Sequence, residues 1–317
     1  MPSTPVLSVR NLKKVFPGKH KSFTPVDGIS FDLEPGEILG LLGPNGAGKT
    51  TTIQMLMSTL KPTSGSIFYF GKDFFKHRSE ILRHVVFAST YVSLPWNLTV
   101  EQNLKVFGRL YGVPANEITK RMDELLDHFG ILKKKKSMVS RLSSGQITRL
   151  MLVKAFMMRP KIVLLDEPTA SLDPDIAKDV CQFVLRQRDQ YGISILFTSH
   201  NMAEVADVCD RVLFLQHGKI IANDIPEKLA KSVSTSKVTL LIGDGLKRAV
   251  SIAEKLGLPC SVDHRSIELK LDEGQIARML TALAQAGVNY TNIDIMQPTL
   301  EDYFLHMATQ AKSEDRP

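Results

Sequence analysis

The chain has 317 residues, 43% of them hydrophobic, which is enough to bury the core of one large domain and of a smaller second one. Forty Lys and Arg residues against 33 Asp and Glu residues give a formal charge of +7, which suits nucleotides, anionic lipids and nucleic acids equally and selects none of them. The three cysteines show no metal-ligand spacing and are expected to be reduced, and no apolar run approaches the roughly 18 residues that span a bilayer.

The N-terminal part of the chain alternates short apolar runs with turn signals, which predicts strands. Pro35 and Gly36 mark a turn before a buried strand at 38–42, and a helix is predicted at 51–60. Between about residues 76 and 160 apolar side chains recur at helical spacing instead. This change predicts a helical subdomain inserted between strands.

From the strand that starts at Ile162, strands alternate with helices again, which favours an α/β sheet with helices on its faces. We therefore predict one α/β domain at residues 5–232. A linker leads to a small α+β domain at 236–308, and the polar residues 309–317 are predicted to be a disordered tail.

A phosphate-binding motif follows the first buried strand. Residues 43–50 read GPNGAGKT and fit GxxxxGK[ST] between a predicted strand and a predicted helix. Glycines let backbone N–H groups turn toward phosphates, and the helix N-terminus adds its positive end. Lys49 is predicted to reach the β- and γ-phosphates, and the Thr50 hydroxyl to ligate Mg²⁺. The predicted nucleotide-binding residues here are Gly43, Pro44, Asn45, Gly46, Ala47, Gly48, Lys49, Thr50 and Thr51.

Two adjacent acids, Asp166 and Glu167, end the strand that starts at Ile162. Successive side chains on a strand point to opposite faces, so the two acids can have different roles. We expect Asp166 to hold Mg²⁺ through water and Glu167 to orient or deprotonate an attacking water. With the phosphate loop, this pattern predicts a nucleotide-hydrolysing site in which Lys49 and Glu167 are catalytic, and many P-loop proteins share these two elements.

Residues 142–146 read LSSGQ and are similar to the LSGGQ signature of ABC ATPases, with Ser144 in place of the first glycine. The resemblance covers about residues 5–230 and implies a P-loop NTPase cassette with an inserted helical subdomain. It also implies that Ser143 and Gly145, with Gln146 beside them, contact the γ-phosphate bound by a second cassette. The active form would then be a dimer with two ATP molecules at the interface.

Three further residues match elements of the ABC family. Asp173, in Ser171-Leu172-Asp173, matches the loop that crosses the dimer, and this places it in the nucleotide-binding set. His200 stands where the family has its switch histidine, which implies a catalytic contact with the γ-phosphate. Phe16 is the expected aromatic residue that stacks on adenine.

One family element is missing from the chain. The loop that leads into the helical subdomain normally carries a glutamine that contacts Mg²⁺ or the attacking water. Depending on the position of a gap, Ala88, Ser89 or Thr90 occupies that place, and none of them has an amide. A serine or threonine hydroxyl can still reach a metal-bound water, so the loss of the amide does not prevent hydrolysis and bears on its rate and its coupling to transport.

Residues 297–304, QPTLEDYF, resemble the ending of ATP-binding subunits of exporters, including the daunorubicin-resistance type. This implies an ATPase that uses ATP and Mg²⁺ at the cytoplasmic face of the cell membrane. Its expected partners are two transmembrane permease subunits and a second, identical cassette, with no nucleic acid. Leu94, Pro95 and Trp96 are the candidates for an exposed permease contact.

Two alternatives remain open from the sequence. The chain could be a soluble ABC ATPase that acts on ribosomes or DNA, but it has one phosphate loop rather than two and no heptad runs of a coiled coil. It could also be a regulatory cassette with weak hydrolysis, which the missing glutamine supports. The intact Lys49, Asp166, Glu167 and His200 argue against that second alternative.

Overall fold

The computed structural model describes residues 4–18, 22–89, 94–233 and 236–314. The chain divides into two compact units, Met1–Pro226 and Glu227–Pro317. The first unit therefore ends slightly before residue 232, where the sequence placed the end of the cassette. None of the described helices has the length and apolar composition that crossing a bilayer requires.

The strands of the first unit are β1 Leu7–Phe16, β2 Phe23–Leu33, β3 Ile38–Leu42, β4 Ser64–Tyr69, β5 Lys72–Asp73, β6 Val85–Ser89, β7 Ile162–Asp166, β8 Ser194–Thr198, β9 Arg211–Gln216 and β10 Lys219–Asp224. Its helices are α1 Lys49–Leu56, α2 Arg78–Ile81, α3 Val100–Leu110, α4 Ala115–His128, α5 Ser144–Met157, α6 Pro174–Tyr191 and α7 Met202–Val208, with 3₁₀ turns at Leu132–Lys134 and Val139–Arg141. Helix α8, Pro226–Val233, begins at the boundary between the units.

The first unit contains two sheets. A six-stranded sheet has the order β10-β9-β3-β8-β7-β6, in which β9 to β6 are parallel and β10 pairs antiparallel with β9. Strands β3, β7 and β8 are buried at every position, as expected for parallel strands covered on both faces. The second sheet is antiparallel, with the order β2-β1-β4-β5. This architecture confirms the predicted α/β fold.

The hydrophobic core joins the two sheets to helix α1. Leu41 of β3, Ile53 of α1 and Tyr69 of β4 belong to one buried cluster. The Tyr69 hydroxyl also donates a hydrogen bond to the carbonyl of Leu56 at 3.0 Å, at the end of α1. The helix that follows the phosphate loop is therefore fixed along one face and at its C-terminal end.

The helical subdomain begins later than the sequence indicated. Residues 85–89 form β6, which pairs in parallel with β7, so the six-stranded sheet extends into the range 76–160 that was predicted to be helical. The short apolar run at Val85 and Val86 does not distinguish a buried strand from a helix segment by periodicity. Helices α3, α4 and α5 follow this strand, and they form the helical part.

The second unit has the order βαββαβ. Its elements are β11 Ser236–Asp244, α9 Leu246–Lys255, β12 Cys260–Asp263, β13 Ser266–Leu271, α10 Glu273–Gln285, β14 Asn289–Met296 and α11 Leu300–Glu314. The antiparallel sheet has the order β12-β13-β11-β14, which is that of a ferredoxin-like split βαβ fold. Its core includes Leu240, Ala253 and Leu269 from the sheet and α9.

Helix α11 begins with a reciprocal cap. The Thr299 N–H donates to Asp302 Oδ2 at 2.7 Å, and the Asp302 N–H donates to Thr299 Oγ1 at 3.3 Å. Leu300 and Tyr303 are buried on one side of the helix. The helix includes residues 309–314, for which the sequence predicted a disordered tail.

Candidate active site

The phosphate loop connects β3 to α1 and contains two glycine positions at which no side chain fits. Gly43 has φ 143° and Gly48 has φ 109°, which side chains rarely adopt. A Cβ on Gly43 would lie 2.1 Å from the carbonyl oxygen of Leu215, and one on Gly48 would lie 2.2 Å from that of Pro25. Close contact with β2 and β9 therefore fixes both ends of the loop.

The ammonium group of Lys49 lies across this loop. Its Nζ donates to the carbonyl oxygens of Gly43 at 2.5 Å and of Pro44 at 3.3 Å. Burial lowers the pKa of Lys49, and the nearby carboxylates of Glu167 and Asp166 oppose that shift. A cation held by loop carbonyls and facing two acids can exchange these partners for phosphate oxygens.

A cavity of about 850 Å³ opens beside the loop, within the size range of small-molecule sites. Residues 44–51 line it, so all the predicted loop residues except Gly43 face it. Asp166 and Glu167 line the same cavity. The structure thus brings the predicted phosphate-binding residues and both predicted acids to one place.

Three parallel strands bring polar side chains into register around Asp166. Ser89 of β6 pairs with Asp166 of β7, which pairs with Thr198 of β8. Asp166 Oδ1 accepts a hydrogen bond from Thr198 Oγ1 at 2.8 Å, and Oδ2 accepts one from Ser89 Oγ at 3.4 Å. All three side chains are buried, so the orientation of the carboxylate is fixed by two neighbouring hydroxyls.

Glu167 turns away from the strand toward His200. Its φ of 54° lies in the left-handed region, and its N–H donates to the Thr198 carbonyl at 3.2 Å and to Thr198 Oγ1 at 3.1 Å. Its Oε2 lies 2.5 Å from His200 Nδ1. The histidine side chain is 78% exposed and the glutamate side chain 18% exposed, so the imidazole is the accessible end of the pair.

The signature residues lie at the N-terminus of α5. The Ser143 N–H donates to Gln146 Oε1 at 3.1 Å and the Gln146 N–H donates to Ser143 Oγ at 3.4 Å, which forms a capping box. Asp173 directly precedes Pro174, the first residue of α6. Ser143, Gly145, Gln146 and Asp173 do not line the described cavity, so the structure does not bring them to the phosphate loop of their own chain.

Phe23, rather than the predicted Phe16, lines the cavity. Phe16 is 40% exposed and is absent from the described cavity lining, whereas Phe23 is 60% exposed and belongs to it. The two rings are direct cross-strand partners on β1 and β2. Two phenylalanines at the facing ends of consecutive predicted strands could have indicated this neighbour relation, since paired strands bring such residues together.

The position of the missing glutamine is only partly described. Ala88 and Ser89 are buried at the end of β6, and Thr90 lies outside the described residues. The prediction that Leu94 is exposed is wrong, because its side chain is only 2% exposed. Pro95 is exposed, and Trp96 is 65% exposed.

Sequence reasoning missed several polar residues around the acids. Glu204 Oε2 accepts hydrogen bonds from Thr169 Oγ1 at 2.6 Å and from Ser199 Oγ at 3.1 Å, and its Oε1 accepts one from Asn201 Nδ2 at 3.1 Å. Thr198 holds Asp166 as described above. The signal in the sequence was a hydroxyl residue two positions after the acid pair, Thr169, and two directly before His200, Thr198 and Ser199.

The residues present suit Mg²⁺ bound together with phosphates. Among the described residues, no group of three or more His, Cys, Asp and Glu side chains could hold a metal ion. Thr50 and Asp166 nevertheless line the same cavity as the phosphate loop. Mg²⁺ is commonly held by one or two protein side chains while phosphates and waters complete its shell, so this donor set fits.

Comparisons with known proteins agree with this site. A sequence model of the ABC transporter family matches residues 26–170. The linearmycin resistance ATP-binding protein LnrL of Bacillus subtilis (strain 168) is 30% identical over 95% of this chain and 98% of its own. The daunorubicin/doxorubicin resistance ATP-binding protein DrrA of Streptomyces peucetius is 29% identical over 99% of this chain and 95% of its own.

A solved ATP-binding subunit of an ABC transporter matches the fold with a TM-score of 0.66 and 26% identity, covering 72% of this chain and 92% of that one. The sheet and the cavity thus define an ATPase cassette of the P-loop class. The chain belongs to the ABC transporter family.

Proposed function

We propose that this chain is the ATP-hydrolysing subunit of an ABC exporter, at the cytoplasmic face of the membrane, and that it is active as a homodimer. The observation that carries the proposal is the cavity in which residues 44–51 meet Asp166 and Glu167. The names of LnrL and DrrA describe resistance ATP-binding proteins, and the match extends over nearly the whole of each chain.

The binding of ATP would use the loop and the start of α1. Backbone N–H groups of the loop and the N-terminus of α1 face the phosphates, and Lys49 supplies the cation for the β- and γ-phosphates. Thr50 and Asp166 would hold Mg²⁺, which when bound neutralises charge on the phosphate oxygens. Phe23 and Phe16 offer aromatic surface to the base.

Hydrolysis would use the pair of Glu167 and His200. The water oxygen forms a bond to the γ-phosphorus while the bond to the bridging oxygen breaks, and ADP and phosphate are released. Glu167 is the group placed to accept the proton of that water. The 2.5 Å contact with His200 Nδ1 supports an oriented carboxylate, and the exposed imidazole would contact the γ-phosphate.

A second cassette would complete the site. The signature residues lie away from their own phosphate loop, at a helix N-terminus that suits an anion. We therefore propose that Ser143 and Gly145 close on the ATP of the other chain, with Gln146 and Asp173 at the same interface. On the membrane side, Pro95 and Trp96 are the exposed candidates for the permease subunits.

Steady-state ATP hydrolysis by the purified chain tests this proposal. Wild type should release phosphate only with Mg²⁺, and Glu167→Gln should lower turnover at least about 100-fold while ATP still binds. Glu101→Gln is a matched control, because Glu101 pairs with Lys105 on α3 outside the described cavity lining. Equal turnover by wild type and Glu167→Gln would contradict the assignment.

A further inference from the structure

Glu204 joins the two loops that follow the catalytic strands. Thr169 lies in the loop after β7, whereas Ser199 and Asn201 flank His200 in the loop after β8. All three donate side-chain hydrogen bonds to the Glu204 carboxylate, at 2.6, 3.1 and 3.1 Å. Thr169 and Ser199 are buried, so their two hydrogen bonds to Glu204 are partly shielded from water, whereas the bond from Asn201 is exposed.

The loop after β7 then contacts the signature helix of the same chain. Ser171 of this loop has φ 68°, in the left-handed region. A Cβ on Gly145 would lie 3.2 Å from the Ser171 carbonyl oxygen and 3.6 Å from Leu172 Cδ2. The small Gly145 therefore allows this loop to lie close to the signature at the start of α5.

These contacts form a continuous path from the acid pair to the signature. It runs from Glu167 to His200 at 2.5 Å, through the loop around Ser199 to Glu204, across to Thr169, and along the loop to Gly145. Each step is a hydrogen bond, a direct packing contact or a short stretch of backbone. Coupling through such a network needs an element whose position both ends affect. The Glu204 carboxylate binds both loops, beside the contacts that Glu167 makes with Thr198 and His200.

We infer that Glu204 is a positioning residue that holds the His200 loop and the Thr169–Asp173 loop together. Contact of His200 with the γ-phosphate at one site then determines the position of the signature residues that contact the other ATP. The inference rests on the proposed function, since it needs a dimer with two composite sites. Glu204 itself does not line the cavity, and it acts through His200 and Gly145.

Steady-state kinetics of the full chain test this inference. Glu204→Ala should lower kcat at least about tenfold and change KM for ATP less than about twofold, because the phosphate loop is untouched. Glu204→Gln keeps a carbonyl oxygen as acceptor and should recover part of kcat. The matched control is Asp207→Ala, an exposed acid on the same helix α7, which should behave as wild type.

A double-mutant cycle with Thr169→Val separates coupling from lost stability. If Glu204 acts by joining the two loops, Thr169→Val alone should lower kcat severalfold relative to wild type. In the Glu204→Ala background the same substitution should lower kcat by less than about twofold. Three results would overturn the inference while the ATPase assignment stands. They are a wild-type kcat in Glu204→Ala, losses in kcat of the two single variants that add in the double variant, and a rise in KM as large as the fall in kcat. No turnover in wild type and Asp207→Ala alike would overturn both.

Discussion

Thr198→Val removes the hydroxyl that orients both acids while keeping the shape of the side chain. The Thr198 side chain is fully buried, and its Oγ1 donates to Asp166 at 2.8 Å and accepts from the Glu167 N–H at 3.1 Å. A hydrogen bond to a charged group contributes about 1.5–3 kcal/mol. The Glu167 N–H keeps the Thr198 carbonyl at 3.2 Å as a partner, so the main loss is at Asp166.

We therefore expect Thr198→Val to lower the free energy of unfolding of the first unit by about 2–3 kcal/mol. Thr198→Ser keeps the hydroxyl and loses one methyl group, so it should lose about 1 kcal/mol. Urea unfolding followed by circular dichroism measures this, and a loss of that size moves the midpoint by about 1 M. A midpoint in Thr198→Val equal to that of wild type, or an equal loss in Thr198→Ser, would refute the reasoning.

Three further predictions concern single side chains. Phe23→Ala should weaken ATP binding about 5- to 50-fold, as measured by fluorescence titration, and more than Phe16→Ala does, because Phe23 lines the cavity. Gly48→Ala should abolish ATP binding, since its Cβ would lie 2.2 Å from a backbone oxygen. Burial lowers the pKa of Lys154 to about 8, so Lys154 loses its proton at a lower pH in the folded chain than in the unfolded chain. Between pH 8 and about 10.4, wild type should therefore gain about 3 kcal/mol of unfolding free energy relative to Lys154→Met, and parallel pH profiles would contradict this.

The phosphate site could be predicted from the sequence because its chemistry is local. A buried strand, a glycine-rich turn and a helix follow one another within residues 38–56, so the motif and its context are contiguous. The acid pair at Asp166 was found for the same reason. Its hydroxyl partners were not, since Ser89 and Thr198 come from two other strands and meet it only through parallel registration.

Residues whose role depends on three-dimensional packing were harder to predict. Leu94 was predicted to be an exposed permease contact, but the structure buries its side chain. Strand β6 has too short an apolar run to reveal its type. Glu204 could not be identified, because its importance arises from two loops that lie far apart in the chain and converge on one carboxylate.

The central claim is that two copies of this chain close on ATP. Gel filtration with light scattering on Glu167→Gln, which should bind ATP without hydrolysing it, tests this most directly. With MgATP we expect a species of twice the monomer mass, and with ADP or without nucleotide we expect the monomer. A monomer that retains bound ATP at saturating nucleotide would contradict the account.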